Sequence, residues 1–306
     1  MRSALLWGRF PAGPCAVPPR SGVRATVAHH ESIDVHVSGR RAPAVRAESA
    51  QSRGLHKQAC ANGRRRGRYP HLIVASIRHL PHIRTFHPRR GRMGERHRAA
   101  LDRLWPLYGV PVTGEPLDLA VLFGRRAPLV LEIGSGMGDA TADMAAADPD
   151  RDYLAVDVHT PGVANLLALV EERGLANVRV AFGDALDLLG HQLAPDSLAA
   201  IHVFFPDPWP KARHHKRRLI QPRHVELLRS RLVPGGTLHC ATDSADYAEA
   251  MLETLTADPG LTNAHRGYAP RPSYRPLTKF EERGVRAGRD VFDLIFTRSP
   301  ALVSRS

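Results

Sequence analysis

The stretch from Leu129 to Gly138, Leu-Val-Leu-Glu-Ile-Gly-Ser-Gly-Met-Gly, constrains this chain more than any other. Its apolar residues, broken by a lone Glu132, have the character of a short buried strand. Glycines at alternate positions follow, and Asp139 to Ala147 then reads as a helix. A strand that breaks into a glycine turn and feeds a helix is the nucleotide-cradling unit of open α/β sheets. Glycine permits the tight turn and lets a ligand approach the backbone with no Cβ in the way.

The spacing Gly134-x-Gly136-x-Gly138 differs from the dinucleotide fingerprint, whose third glycine comes one residue later. Glu132, just before the turn, would repel a pyrophosphate. It suits a ligand with a positive group, such as the sulfonium and ammonium of S-adenosylmethionine. The alternative is a glycine-rich βα turn with no ligand.

With 306 residues, the chain can bury a full core as one large domain or two small ones. Its three cysteines, Cys15, Cys60 and Cys240, are widely separated and make neither a disulfide framework nor a metal cluster, which points to a reducing cytoplasm. No apolar run approaches the roughly 20 residues of a membrane span. The segment from Met1 to Arg9 has too short an apolar core for a signal peptide. The formal charge of +13 is unevenly placed: residues 1–98 balance at +16 and the remainder at −3. A nucleic-acid argument therefore rests on local clusters, not on the overall charge.

Residues 1–75 show no sustained period and read as a disordered basic extension. Within it Arg64-Arg65-Arg66-Gly67-Arg68 could grip phosphate; a solvated tail, or sequence upstream of the true start, explains it as well. A folded domain is expected over residues 76–306. It opens with a basic stretch from Ile83 to Met93 and an amphipathic helix from Arg98 to Tyr108, with Leu101, Leu104, Trp105 and Tyr108 at helical spacing.

Beyond the organising strand, Tyr153 to Val158 reads as a second strand, and Asp157 lies 23 residues past Gly134. An acidic group about 20 residues on is where such folds hold a ribose diol; the competing role is a cap for the Pro161–Arg173 helix. Val178 to Phe182 is a third strand running into Gly183-Asp184, where a carboxylate can accept from an adenine amine. Ala199 to Phe205 is a fourth. Carboxylates thus recur at the carboxyl ends of successive strands, the edge where parallel sheets bind ligands.

The fourth strand runs into Pro206-Asp207-Pro208-Trp209-Pro210-Lys211, a rigid ledge similar to the Asp/Asn-Pro-Pro-aromatic turn of base-amine methyltransferases. A stiff loop is the plainer reading, and Trp209 either stacks on a base or buttresses the turn. Lys211 to Arg218 is a basic run beside this ledge, with nucleic-acid phosphate as its natural counterpart. Pro222 to Leu232 reads as a helix, Pro234-Gly235-Gly236 as a tight turn, and Thr237 to Ala241 as a fifth strand. A helix from Ser244 to Thr256, capped by Ser244 or Asp243, a sixth strand over Leu261–Arg266 and a closing strand over Val291–Arg298 follow. This alternation predicts an α/β fold with a doubly wound, mostly parallel sheet and an antiparallel edge.

At these residues the chain resembles the bacterial tRNA (guanine-N7)-methyltransferase family. The likeness is carried by Leu131 to Gly138, by Phe204-Phe205-Pro206-Asp207-Pro208-Trp209-x-Lys211-Ala212-Arg213-His214-x-Lys216-Arg217-Arg218, by Ala241-Thr242-Asp243, and by Arg275-Pro276-x-Thr278-Lys279-Phe280-Glu281-x-Arg283-Gly284. Arg84-Thr85-Phe86 and Arg89-x-Gly91-Arg92 resemble the start of the family's domain. The first motif is generic to S-adenosylmethionine enzymes; the second and fourth together are highly specific. Ser135 and Asp157 depart from the family pattern, which often carries Phe and Glu there.

The resemblance implies a seven-stranded Rossmann-like methyltransferase sheet with an antiparallel edge strand. It implies methyl transfer from S-adenosylmethionine to N7 of a tRNA guanine, at position 46 in the variable loop. Glu132, Gly134, Gly136, Asp157, Asp184 and Asp207 would bind the cofactor, with Asp207 catalytic. Lys211, Asp243, Thr278, Lys279, Phe280 and Glu281 would hold the target nucleotide, and Arg213, Lys216, Arg217 and Arg218 would contact tRNA. No metal, no membrane association, a cytoplasmic location, and a monomer or weak homodimer complete the expectation. The rivals are methylation of another RNA base and RNA binding around a vestigial pocket.

Overall fold

The computed structural model describes residues 83–87 and 92–300. The 1–75 extension and residues 89–91 fall outside this range. The central strand β2 (Leu129–Ile133) is buried along its whole length, as its apolar run requires. Its side chains alternate: Leu129, Leu131 and Ile133 enter one core layer, and Val130 the opposite one. Such two-sided burial is the property of a strand inside a parallel sheet.

The sheet has eight strands in the order β1-β4-β3-β2-β5-β6-β8-β7. β3 (Asp152–Asp157) and β4 (Val178–Phe182) extend it to one side of β2, ending in β1 (Gly109–Pro111). On the other side stand β5 (Leu198–Phe204) and β6 (Leu232–Thr242), then β8 (Phe292–Arg298) and β7 (Leu261–Asn263). Pairings from β1 to β6 are parallel; β8 is antiparallel to both β6 and β7. The doubly wound, mostly parallel fold is thus as expected, with one strand beyond the seven. The addition, β1, is a three-residue edge piece in register with Val180–Phe182, too short to leave a periodic signal.

Helices cover both faces. One layer takes in α2 (Leu119–Phe123), α5 (Ala185–Asp187), α6 (Pro222–Arg231) and α7 (Ala245–Ala257), with Tyr247, Met251 and Leu255 fully buried. The other takes in α1 (Glu95–Tyr108), α3 (Asp139–Ala147) and α4 (Thr160–Arg173) against β2 to β4. Over β5 and β6 that face is covered by Tyr274 and Arg275. The turn expected at Pro234–Gly236 lies within β6 as a bulge, because Leu198 pairs with Leu232 but Ala200 with Thr237. Ser244 does stand at the N-cap of α7 yet makes no side-chain cap bond; its own N–H donates to Thr242 Oγ1.

Chain order reverses at β2 and β5: β2 leads outward through β3 and β4, and β5 leads the opposite way. The crevice outside the carboxyl ends of β2 and β5 is therefore the topological switch point, where open α/β sheets bind ligands.

Candidate functional site

Five of the expected acids stand along this carboxyl edge: Glu132 on β2, Asp157 on β3, and Asp184, Asp207 and Asp243 just beyond β4, β5 and β6. Glu132 is only 3% exposed and accepts a hydrogen bond from Thr141 Oγ1 of α3. Burial pushes its carboxyl up to about 7, opposed by the Thr141 bond and reinforced by repulsion from Asp157.

Asp157 accepts from the Gly136 N–H at 2.8 Å through Oδ2 and from the His159 N–H at 2.8 Å through Oδ1. Burial raises its carboxyl against those bonds. It thereby ties the glycine loop to the entry of α4. Asp184 is buried, and its Oδ1 caps α5 through the Leu186 N–H at 2.9 Å.

The glycine loop itself is an open cradle. Gly134 and Gly136 have φ of +82° and +60°, and nothing lies within 4 Å of where a Cβ would stand. α4 presses on the loop from the other side: a Cβ on Gly162 would come within 1.8 Å of the Gly136 carbonyl oxygen. Asn165 of α4 donates to the Met137 carbonyl at 2.7 Å. Ser135 Oγ is buried with no hydrogen-bond partner among the described residues.

After β5 the chain makes a strained turn in which Phe205 and Trp209 have φ of +52° and +48°, a region that bulky residues rarely enter. Asp207 Oδ2 accepts the His87 N–H at 2.8 Å. Trp209 is 3% exposed; its Nε1 donates to the Thr85 carbonyl at 3.2 Å, and the His87 ring stacks on it at 3.8 Å. The Arg217 guanidinium also lies 5.0 Å from its ring centre. Of the two expected roles, Trp209 here buttresses the turn.

The basic run forms a 3₁₀ turn (Ala212–Arg217) preceded by Lys211, and Lys211, Arg213 and Lys216 are exposed. Arg218 differs from the expectation of a surface contact. It is 4% exposed, donates to the Pro208 carbonyl at 2.9 Å, pairs with Asp246 and stands over the Tyr247 ring. Packing against the turn and α7 has drawn this one cation of the run inward.

Asp243 is paired with Arg289 at 3.0 Å. Thr278 Oγ1 caps α8 (Lys279–Arg286) through the Glu281 N–H at 3.1 Å. The Glu281 carboxylate is buried against Arg275, at 2.6 and 3.1 Å. The Lys279 and Phe280 side chains fall outside the described part of the structure.

Sequence reasoning missed the network behind these residues. Arg275 is fully buried and also forks onto Asp293, with 2.8 Å bonds to both oxygens. Asp293 Oδ1 meets His239 Nε2 at 2.7 Å, and His239 Nδ1 meets the Tyr274 hydroxyl at 2.9 Å. Burial pushes the Asp293 carboxyl up, but His239 and Arg275 outweigh it and hold it below the usual carboxylate range. His202, paired with Glu132 across β2 and β5 and with His239 across β5 and β6, is driven down to about 3 by burial and by His239. It is a neutral core histidine. Arg275 and its partner Glu281 share one stretch of the sequence, but the second partner, Asp293, lies on β8 and is set beside β6 by the β6–β8 register. A cleft of about 380 Å³ adjoins the network, lined in part by Arg271, Glu281, Arg289 and Asp290.

Among the described residues no group of three or more His, Cys, Asp or Glu is arranged to hold a metal ion, and no helix is long and apolar enough to cross a membrane.

A family model described as "Putative methyltransferase" matches residues 126–294. A tRNA (guanine-N(7)-)-methyltransferase of Nitrosospira multiformis is 57% identical over 224 residues, covering 72% of this chain and 98% of its own length. The enzyme so named in Streptomyces avermitilis is 57% identical over 218 residues, 71% of this chain and 75% of its own. That of Paraburkholderia xenovorans is 55% identical over 223 residues, 73% of this chain and 86% of its own.

Proposed function

This chain belongs to the tRNA (guanine-N7)-methyltransferase family, and from that premise we propose that it transfers a methyl group from S-adenosylmethionine to N7 of a guanine in tRNA, the guanine of the variable loop. One observation carries the reading at the level of chemistry. Buried Glu132 and Asp184 and half-buried Asp157, at three adjoining strand ends, stand beside a glycine cradle that no Cβ fills, with a strained, acid-bearing turn at the switch point.

These residues fit the cofactor. A carboxylate with the environment of Glu132 ionises readily beside an added positive charge, which suits a ligand carrying an ammonium and a sulfonium. Asp157 lies where a ribose diol would be held, and Asp184 where an adenine amine would be held. When bound, S-adenosylmethionine supplies an electrophilic methyl group on its sulfonium.

Guanine N7 carries an in-plane lone pair and no proton, so the chain need not supply a general base. Its task is alignment, together with negative electrostatics where positive charge develops on the purine. Asp207 does both: it accepts from the donor edge of the base and favours the cation that forms. Lys211, Asp243 and the stretch Thr278–Glu281, with Lys279 and Phe280, border the target nucleotide. Arg275 sets the angle of that stretch through Glu281. Arg213, Lys216 and Arg217 meet tRNA phosphates, and Arg218 anchors the turn beneath them. The protein works in the cytoplasm as a monomer or weak homodimer.

The test is incubation of the purified protein with unmodified tRNA and S-adenosylmethionine, digestion to nucleosides and mapping of the product. N7-methylguanosine in the variable loop is expected. A different modified nucleoside, or none, overturns the proposal.

A further inference from the structure

The turn from Phe205 to Trp209 holds two bulky residues in the left-handed region, a conformation that persists only where its surroundings over-determine it. From the sheet side, the Phe205 N–H donates to the Ala241 carbonyl at 2.7 Å and Arg218 reaches the Pro208 carbonyl. The other restraints come from far away in sequence. The Thr85 carbonyl takes the Trp209 indole N–H, the His87 ring stacks on that indole, and the His87 backbone N–H donates to Asp207 Oδ2.

From this geometry we propose that the segment Thr85–His87 is a positioning element for the reaction, setting the rotamer of Asp207 through the His87 backbone N–H. The inference rests on the reading of Asp207 as the catalytic carboxylate. A main-chain donor to a carboxylate makes a charge-assisted bond whose strength does not depend on the side chain at that position. The two contacts to Trp209 fix where that donor stands. Both ends of the short segment therefore bear on one turn: Thr85 on its aromatic foot and His87 on its acid.

The test compares full-length His87→Pro, which deletes the donor, with His87→Ala, which keeps it. Asp207→Asn and the His87→Pro/Asp207→Asn double variant complete the cycle. kcat and the tRNA KM are measured for each, with melting temperatures. For His87→Pro, kcat is expected to fall about tenfold or more, the scale of a lost hydrogen bond to a charged group, with KM within about threefold. His87→Ala, which keeps the donor but loses the ring stacked on Trp209, should lose less kcat than His87→Pro, and the double variant should equal Asp207→Asn because both losses act through one carboxylate.

Unchanged or raised kcat in His87→Pro overturns the inference, as does a fully additive loss in the double variant. If His87→Pro melts markedly lower, Trp209→Phe serves in the same cycle, since it removes the indole N–H while keeping an aromatic ring for His87 to stack on. A loss of about threefold or more that vanishes in the Asp207→Asn background supports the inference, and an unchanged kcat overturns it. Parent-like kcat in Asp207→Asn would instead remove the reading of Asp207, and the inference with it; that failure is separately visible.

Discussion

Glu132 sits between two demands. In the free protein its burial favours the neutral acid, with a carboxyl at about 7 against 4.5 for an ordinary glutamate, whereas a cationic cofactor calls for the anion. The consequence for stability has a definite sign. Below about pH 4.5 the group is protonated folded or unfolded, and its contribution is fully present. As pH rises toward 7 the unfolded chain gives up the proton first, so stability declines by on the order of 3 kcal/mol and then levels off. Glu132→Gln removes that slope while keeping an acceptor for Thr141. The variant should melt higher than the parent at pH 8 and equally at pH 4, by calorimetric scans. Its affinity for S-adenosylmethionine should fall about tenfold or more by titration calorimetry, the scale of one charged hydrogen bond. Equal affinity would show that the cation is held elsewhere.

Among the elements, α4 and the 3₁₀ turn make the sharpest claims. Gly162→Ala forces α4 away from the glycine loop, since a Cβ there overlaps the Gly136 carbonyl at 1.8 Å. A loss of about 1–3 kcal/mol in denaturant midpoints is expected, together with weaker cofactor binding. Gly190→Ala, with open space around it, should change neither. In the 3₁₀ turn, replacing exposed Arg213 and Lys216 by Ala should flatten the log–log salt dependence of tRNA binding by up to about 1.8, at ~0.9 per phosphate charge, with kcat preserved at saturation. Arg218→Ala should instead lower the melting temperature, because it strips the half-buried Pro208 carbonyl of its donor. These two elements also mark what pattern can convey. Helix and strand positions were readable from period and glycine punctuation, but the basic run gave no hint that one of its cations turns inward. That depends on α7 lying across it, which no local pattern encodes. β1 escaped for a related reason: three residues that pair only with β4 carry no period of their own.

On the scale of the whole molecule, the lack of any sustained period in residues 1–75 predicts that this segment is dispensable for chemistry. The segment that bears on Asp207 begins at Thr85. Deleting residues 1–75 should leave melting temperature and kcat within error; a large drop in either would show that the segment packs on the domain. The acids of the carboxyl edge could be read in advance because each ends a strand in plain succession from Glu132 to Asp243. The Arg275–Asp293–His239 network could not, because an antiparallel register brings Asp293 beside His239, and Arg275 reaches Asp293 from outside any strand. That register also dictates a timetable for synthesis. β8 is inserted between β6 and β7 although it follows both in the chain. While the ribosome is still short of Arg298, β6 is a bare strand edge and Arg275 has yet to meet Asp293. Bare edges invite pairing with other chains. The half of the sheet that precedes β5 can settle early, whereas the half beyond it, where we place the tRNA-contacting residues, must wait for β8, so a prematurely terminated chain keeps that half open along a bare edge.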